Sequence, residues 1–179
     1  KGFCTTNPQT GLRPLSEVLD DPDGGTKNFT VPNVPTVAIT IAGVAAIAQL
    51  DTGYEDRLER RSINVNEALF AQLNTTPGLL TRDALIDLYV TTCEAGLNEQ
   101  LEGYHLPPGK TLEFIGEGGS VARVDSAVAV YLKHRRADTK KCGGISTWTV
   151  PAAQVGASFF IDAQALIIDP ASSRVWIPK

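Results

Sequence analysis

The stretch that most constrains this chain runs from Thr36 to Gly53. Val37, Ile39 and Ile41 alternate with Ala38, Thr40 and Ala42. That period of two places bulky side chains on one face of a strand. Ala42-Gly43 then permits a tight turn, and Val44 to Leu50 reads as a second, small-residue apolar strand. Together they predict a β-hairpin whose end delivers Asp51-Thr52-Gly53. An ionisable side chain directly after a buried strand needs hydrogen-bond donors or a charge-sharing neighbour. Thr52 supplies a hydroxyl, and Gly53 lets its own N–H approach the carboxylate. By itself the triplet also fits a plain turn, in which Asp accepts backbone N–H groups and Gly takes positive φ.

The rest of the 179 residues agrees with a β-rich fold. Sixteen Gly and eleven Pro punctuate short runs of Val, Ile and Thr. A hydrophobic share of 42% against 20% charged residues is enough to build a core. Residues 1–34 hold Asn-Pro, Arg-Pro and the cluster Asp20-Asp21-Pro22-Asp23-Gly24-Gly25, and read as an irregular extension ahead of one domain, 35–179. Asn66 to Leu73 has helical composition, with Asn66 as N-cap. Thr81 to Thr92 mixes a helix start with the strand-forming Tyr89-Val90-Thr91-Thr92, and is assigned to helix. Strands are expected at Thr111 to Ile115, Val121 to Leu132 and Ile145 to Val150. A last hairpin is expected from Leu166 to Asp169 and Arg174 to Ile177. Trp148, Trp176, Phe159 and Phe160 are assigned to the core.

Charge and cysteine content exclude several classes. A net charge of −4 and a pI near 5.2 give no electrostatic footprint for nucleic acid. The basic stretch Lys133-His134-Arg135-Arg136 with Lys140-Lys141 is short, lacks aromatic interleaving and reads as a solvated loop. The most apolar segment, Val34 to Leu50, is short and interrupted for a membrane span. Cys4, Cys93 and Cys142 lie in no CxxC, and with only two His no zinc site assembles. Cys142 with His134 or His105 matches no nucleophile motif, and Asp83 with Asp87 reads as a solvated face. A chain with no Met that begins at Lys1 suggests processing, which points toward an extracytoplasmic, periplasmic or secreted, location.

One carboxylate does not suffice for peptide hydrolysis at mild pH. Two Asp sharing a proton supply an acid and a base together: one polarises the scissile carbonyl while the other takes a proton from water. The sequence holds a single Asp-Thr-Gly and no Asp-Ser-Gly. A second copy would therefore come from a symmetry mate, with Asp51 near the two-fold axis.

Pro35-Thr36-Val37-Ala38-Ile39-Thr40-Ile41-Ala42-Gly43, followed after seven residues by Asp51-Thr52-Gly53, resembles the hairpin and catalytic loop of the retropepsins, the small dimeric aspartic peptidases. Phe114-Ile115-Gly116-Glu117-Gly118-Gly119-Ser120-Val121 is similar to that family's Gly-rich flap. Gln154-Val155-Gly156-Ala157-Ser158-Phe159-Phe160 is similar to its late hydrophobic-hydrophobic-Gly element and following short helix. The pattern departs at Tyr54, where Ala or Ser usually follows the triplet, and at Gln154, where a hydrophobic residue usually stands.

The resemblance implies a closed all-β barrel of acid-protease type with one or two short helices. It implies an aspartic endopeptidase working as a homodimer on a peptide or protein substrate, without metal or organic cofactor. Asp51, Thr52 and Gly53 would form the catalytic loop. Gly116, Gly118 and Gly119 of the flap, with Tyr54 bordering the cleft, would meet an extended peptide added as a strand. The alternative implied by Tyr54 and Gln154 is a peptide-binding module of the same fold without turnover.

Overall fold

A computed structural model describes residues 35–91, 98–134, 144–161, 166–169 and 174–176. The extension 1–34 and all three cysteines lie outside these residues, as does most of the basic stretch. The described chain is dominated by β-strands and carries one α-helix, as the sequence leads one to expect.

The hairpin forms as its pattern dictates. β1 (Thr36–Ile41) and β2 (Val44–Asp51) pair antiparallel from Thr36↔Gln49 to Ile41↔Val44. Their turn is built by Ala42 at φ 49° and Gly43 at φ 85°. Two successive positive φ values match the right-handed twist of the flanking strands, and the second falls on the residue that tolerates it best. Ile39, Ile41, Ala46, Ala48 and Leu50 face the core. Burial of each large aliphatic side chain stabilises the fold by about 1.5–3 kcal/mol.

The next strand has no counterpart among the expected elements. β3 (Ser62–Asn66) is buried along its whole length. It runs into α1 (Glu67–Leu73), where the Asn66 side chain accepts the N–H of Leu69 as an N-cap. The helix expected over Thr81 to Thr92 is replaced by β4 (Thr81–Arg82), a 3₁₀ turn at Ala84–Ile86, and β5 (Leu88–Thr91). Asp83 caps the turn by accepting the N–H of Leu85, and Leu88–Thr91 pairs with β6 (Asn98–His105). β-Branched and aromatic residues thus follow their own propensity once a partner strand is present.

β7 (Thr111–Ile115) and β8 (Val121–Ser126) form a hairpin. The run expected to continue to Leu132 breaks at Ala127, φ 54°, before β9 (Ala129–Lys133). Ile145–Thr147 is a 3₁₀ turn rather than a strand. β10 (Ala152–Gly156) leads into a second 3₁₀ turn, Ala157–Phe160. β11 (Ile167–Asp169) and β12 (Arg174–Trp176) pair as the closing hairpin expected there. Trp176 is 57% exposed, so of the four aromatics assigned to the core only Trp148, Phe159 and Phe160 belong to it.

Ten strands form one sheet in the order β4-β6-β9-β3-β10-β2-β1-β7-β8, with β5 on β6. No pairing among the described residues joins β8 back to β4. β10 is inserted between β2 and β3, parallel to the first and antiparallel to the second. Gly156 thereby comes opposite Asp51, and Gln154 opposite both Gln49 and Asn64.

Candidate functional site

Asp51 closes β2 at the point where the sheet gives way to a loop. Leu50 turns inward and is 4% exposed, so the alternation of the strand puts Asp51 on the other face. Its carboxylate accepts two neutral donors. The Gly53 N–H reaches Oδ1 at 2.9 Å, and the Gln154 Nε2 reaches Oδ2 at 2.5 Å. Thr52 and Gly53 are exposed, and Asp51 itself is half-buried. A Cβ at Gly53 would sit 3.3 Å from Asp51 Oδ1, so glycine leaves room for the short N–H contact.

Tyr54 turns back under the loop. Its hydroxyl donates to Asn64 Oδ1 at 3.3 Å, and a Cβ added to Gly156 would collide with the Tyr54 ring and carbonyl. Burial first, and the negative charge of Asp56 second, push the Tyr54 hydroxyl above its ordinary range and keep it protonated. Asn64 Nδ2 in turn donates to Gln154 Oε1 at 3.1 Å. The structure therefore gathers Asp51, Gly53, Gln154, Asn64 and Tyr54 into one hydrogen-bonded group.

The loop is clamped from behind. Ala157 N–H donates to Tyr54 O at 2.8 Å, and Asp56 N–H donates to Ser158 Oγ at 2.9 Å. The buried Asp56 carboxylate accepts the N–H groups of Leu58 and Glu59 and the Ser62 hydroxyl. Phe159 and Phe160 of the same 3₁₀ turn pack against Phe114 of β7, each at 5.8 Å between ring centroids. One short segment after β10 thus supports both the Asp51 loop and the β7–β8 hairpin.

Gly116, Gly118 and Gly119 lie at the tip of that hairpin. Gly118 and Gly119 have φ of 71° and 78°, and Gly116 closes the turn by donating to Ser120 O at 2.7 Å. Gly116 itself is extended, with φ −86°. The register Ile115↔Ala38 and Ala38↔Ile47 places this tip beyond the same end of the sheet as Asp51. The tip is tied to β12, where Arg174 Nε donates to Glu117 Oε1 at 2.9 Å.

β3 supplies Ser62 and Asn64, which the sequence reading missed, and gives Asn66 contacts beyond the N-cap expected of it. Ser62, Asn64 and Asn66 recur at a period of two and are each 1% exposed. Ser62 holds Asp56, Asn64 links Tyr54 to Gln154, and Asn66 Nδ2 donates to the carbonyls of Ile145, Trp148 and Val150. The signal was the alternation Ser-Ile-Asn-Val-Asn, obscured by the charged run before it.

Both histidines, Asp83 and Asp87 have local partners. His105 meets Asp83, His134 lies between Glu67 and Glu102, and Asp87 pairs with Arg82. Among the described residues no cluster of His, Cys, Asp and Glu has the grouping of a metal site. No helix there is long and apolar enough to cross a membrane. No protein-family model matches the sequence, and no curated protein matches it.

Proposed function

We propose that the chain is an aspartic endopeptidase in which two copies bring their Asp51 carboxylates together over a two-fold axis. The observation that carries this reading is the Asp51 loop: a carboxylate at the end of a buried strand, held by the N–H of Gly53 two residues on, with Thr52 and Gly53 exposed beside it. The insertion of β10 between β2 and β3 supports it, because β10 pairs along β2 as far as Asp51 and holds the loop from its own chain while Thr52 and Gly53 stay exposed. So does the Gly-rich β7–β8 tip beyond the same end of the sheet, which suits a flap over an extended peptide.

In this reading the sheet curls into the closed barrel of acid-protease type. In support of that, one core cluster draws on both ends of the strand order, including Leu79 and Leu106 near β4 and β6 with Leu112 and Phe114 of β7. A shared proton lets one Asp51 polarise the scissile carbonyl while the other takes a proton from water. Thr52 braces the paired loops, and neither metal nor organic cofactor takes part.

The test compares cleavage of an unfolded protein mixture by wild type and Asp51→Asn between about pH 3 and pH 7. Loss of at least a hundredfold in rate is expected for the variant; equal cleavage by the two proteins removes the catalytic assignment. A peptide-binding module without turnover is the second reading, favoured by the Gln154 amide that already satisfies one Asp51 oxygen within a single chain. It requires saturable peptide binding that survives Asp51→Asn, with no cleavage by wild type.

A further inference from the structure

We propose that Gln154 is a positioning residue for Asp51, and that Tyr54 and Asn64 act through it by fixing which way its amide points. The inference rests on the aspartic peptidase reading for its catalytic consequence, and on geometry alone for the contact itself.

An ionised carboxylate only accepts, so the group 2.5 Å from Asp51 Oδ2 must be the Gln154 NH₂. Gln154 Oε1 then faces Asn64, which must present its own NH₂ at 3.1 Å. That leaves Asn64 Oδ1 facing Tyr54, whose hydroxyl must donate. Every link runs in the same sense, from the Tyr54 hydroxyl through two amides to the carboxylate. Aligned hydrogen bonds of this kind polarise one another.

Strand register builds the chain. Gln154 and Asn64 are direct cross-strand partners, while Gln154 lies opposite Gln49, two residues before Asp51 on the same face. Tyr54 reaches Asn64 because Gly156 leaves space for its ring. The two residues that depart from the retropepsin pattern, Tyr54 and Gln154, are thus the two ends of one device. A hydrophobic residue at 154 would leave Asp51 Oδ2 without its donor and Asn64 Nδ2 without its acceptor.

The consequence for a two-acid centre is specific. With Gly53 on one oxygen and Gln154 on the other, the orientation of the carboxylate plane is fixed. Its own loop carries Tyr54, the buried Asp56 and the exposed Glu55–Arg57 pair, whereas β10 and β3 contact this group through the non-titrating Gln154 and Asn64. In the dimer the second copy's Asp51 is added.

The experiment uses the full chain labelled with ¹³C at aspartate carboxyls, as wild type, Gln154→Leu and Tyr54→Phe, with Asp51→Asn to assign the signal. In Gln154→Leu, which removes the donor from Oδ2, the Asp51 carboxyl signal is expected to move from its wild-type position at one fixed neutral pH. Tyr54→Phe, which keeps the ring on Gly156, is expected to move it the same way by less. With a peptide substrate, Gln154→Leu is expected to lower kcat about tenfold with little change in KM. An Asp51 carboxyl signal that stays in place in a folded Gln154→Leu overturns the proposal. Wild type without peptidase activity would overturn the aspartic peptidase reading instead, and the position of the carboxyl signal would still decide the role of Gln154.

Discussion

Single residues carry much of the organisation around Asp51, and Asn66 and Gly156 are the clearest cases. Asn66 accepts the N–H groups of Leu69 and Ala152 while its amide donates to three carbonyls across the 145–150 segment. Removing it orphans several buried groups at once, at about 1–3 kcal/mol each. Asn66→Ala is therefore expected to lose about 3 kcal/mol or more, read as a drop in the urea midpoint at constant slope. An unchanged midpoint would show that water replaces these bonds at no cost. At Gly156 the added methyl of Ala has nowhere to go, because the Tyr54 ring and backbone occupy its place. Gly156→Ala is expected to destabilise by about 1–3 kcal/mol, and the loss should be smaller in a Tyr54→Ala background, where the ring no longer resists. Equal losses in the two backgrounds would assign the strain to the Tyr54 carbonyl, which Tyr54→Ala leaves in place.

At the scale of elements, what was legible in the sequence was local and what was hidden depended on partners. The β1–β2 hairpin was legible because period-two bulk and Ala42-Gly43 act within a few residues. The Asn66 cap and the β11–β12 hairpin were legible for the same reason. Leu88–Thr91 holds strand-forming residues, but the helix start at Thr81 outweighs them until β6 stands beside the segment. Ile145 to Val150 reads as a strand, yet its carbonyls are taken by Asn66 from a distant strand, which stabilises a 3₁₀ turn instead. The β4–β6 corner also bears on acid stability. The Arg82 guanidinium, hydrogen-bonded to Asp87, holds that carboxyl down from 3.8 to about 2. A depressed carboxyl contributes stability that is present above its unfolded value and fades as pH falls through the folded one. Wild type should therefore exceed Asp87→Asn in stability at neutral pH, with the gap closing between about pH 4 and pH 2. A gap independent of pH, measured by urea unfolding across that window, would show that the pair does not couple to folding.

For the whole molecule the decisive question is whether one chain suffices. Asp51 and the glycines of the β7–β8 tip were legible as site candidates, since both are short motifs at the ends of strands. Gln154, Asn64 and Tyr54 were not legible as one group, because only the insertion of β10 between β2 and β3 makes neighbours of residues 90 and more positions apart. Within one chain, the described hydrogen bonds to the Asp51 carboxylate come from the neutral Gly53 and Gln154. Water activation by paired acids then requires a second copy. The most direct measurement is a mixing titration, in which wild type is equilibrated with rising amounts of Asp51→Asn and peptide cleavage is followed at fixed wild-type concentration. A two-chain site predicts that the inactive variant suppresses wild-type activity progressively, as mixed dimers replace paired wild-type ones. Activity that stays constant however much variant is added would contradict it.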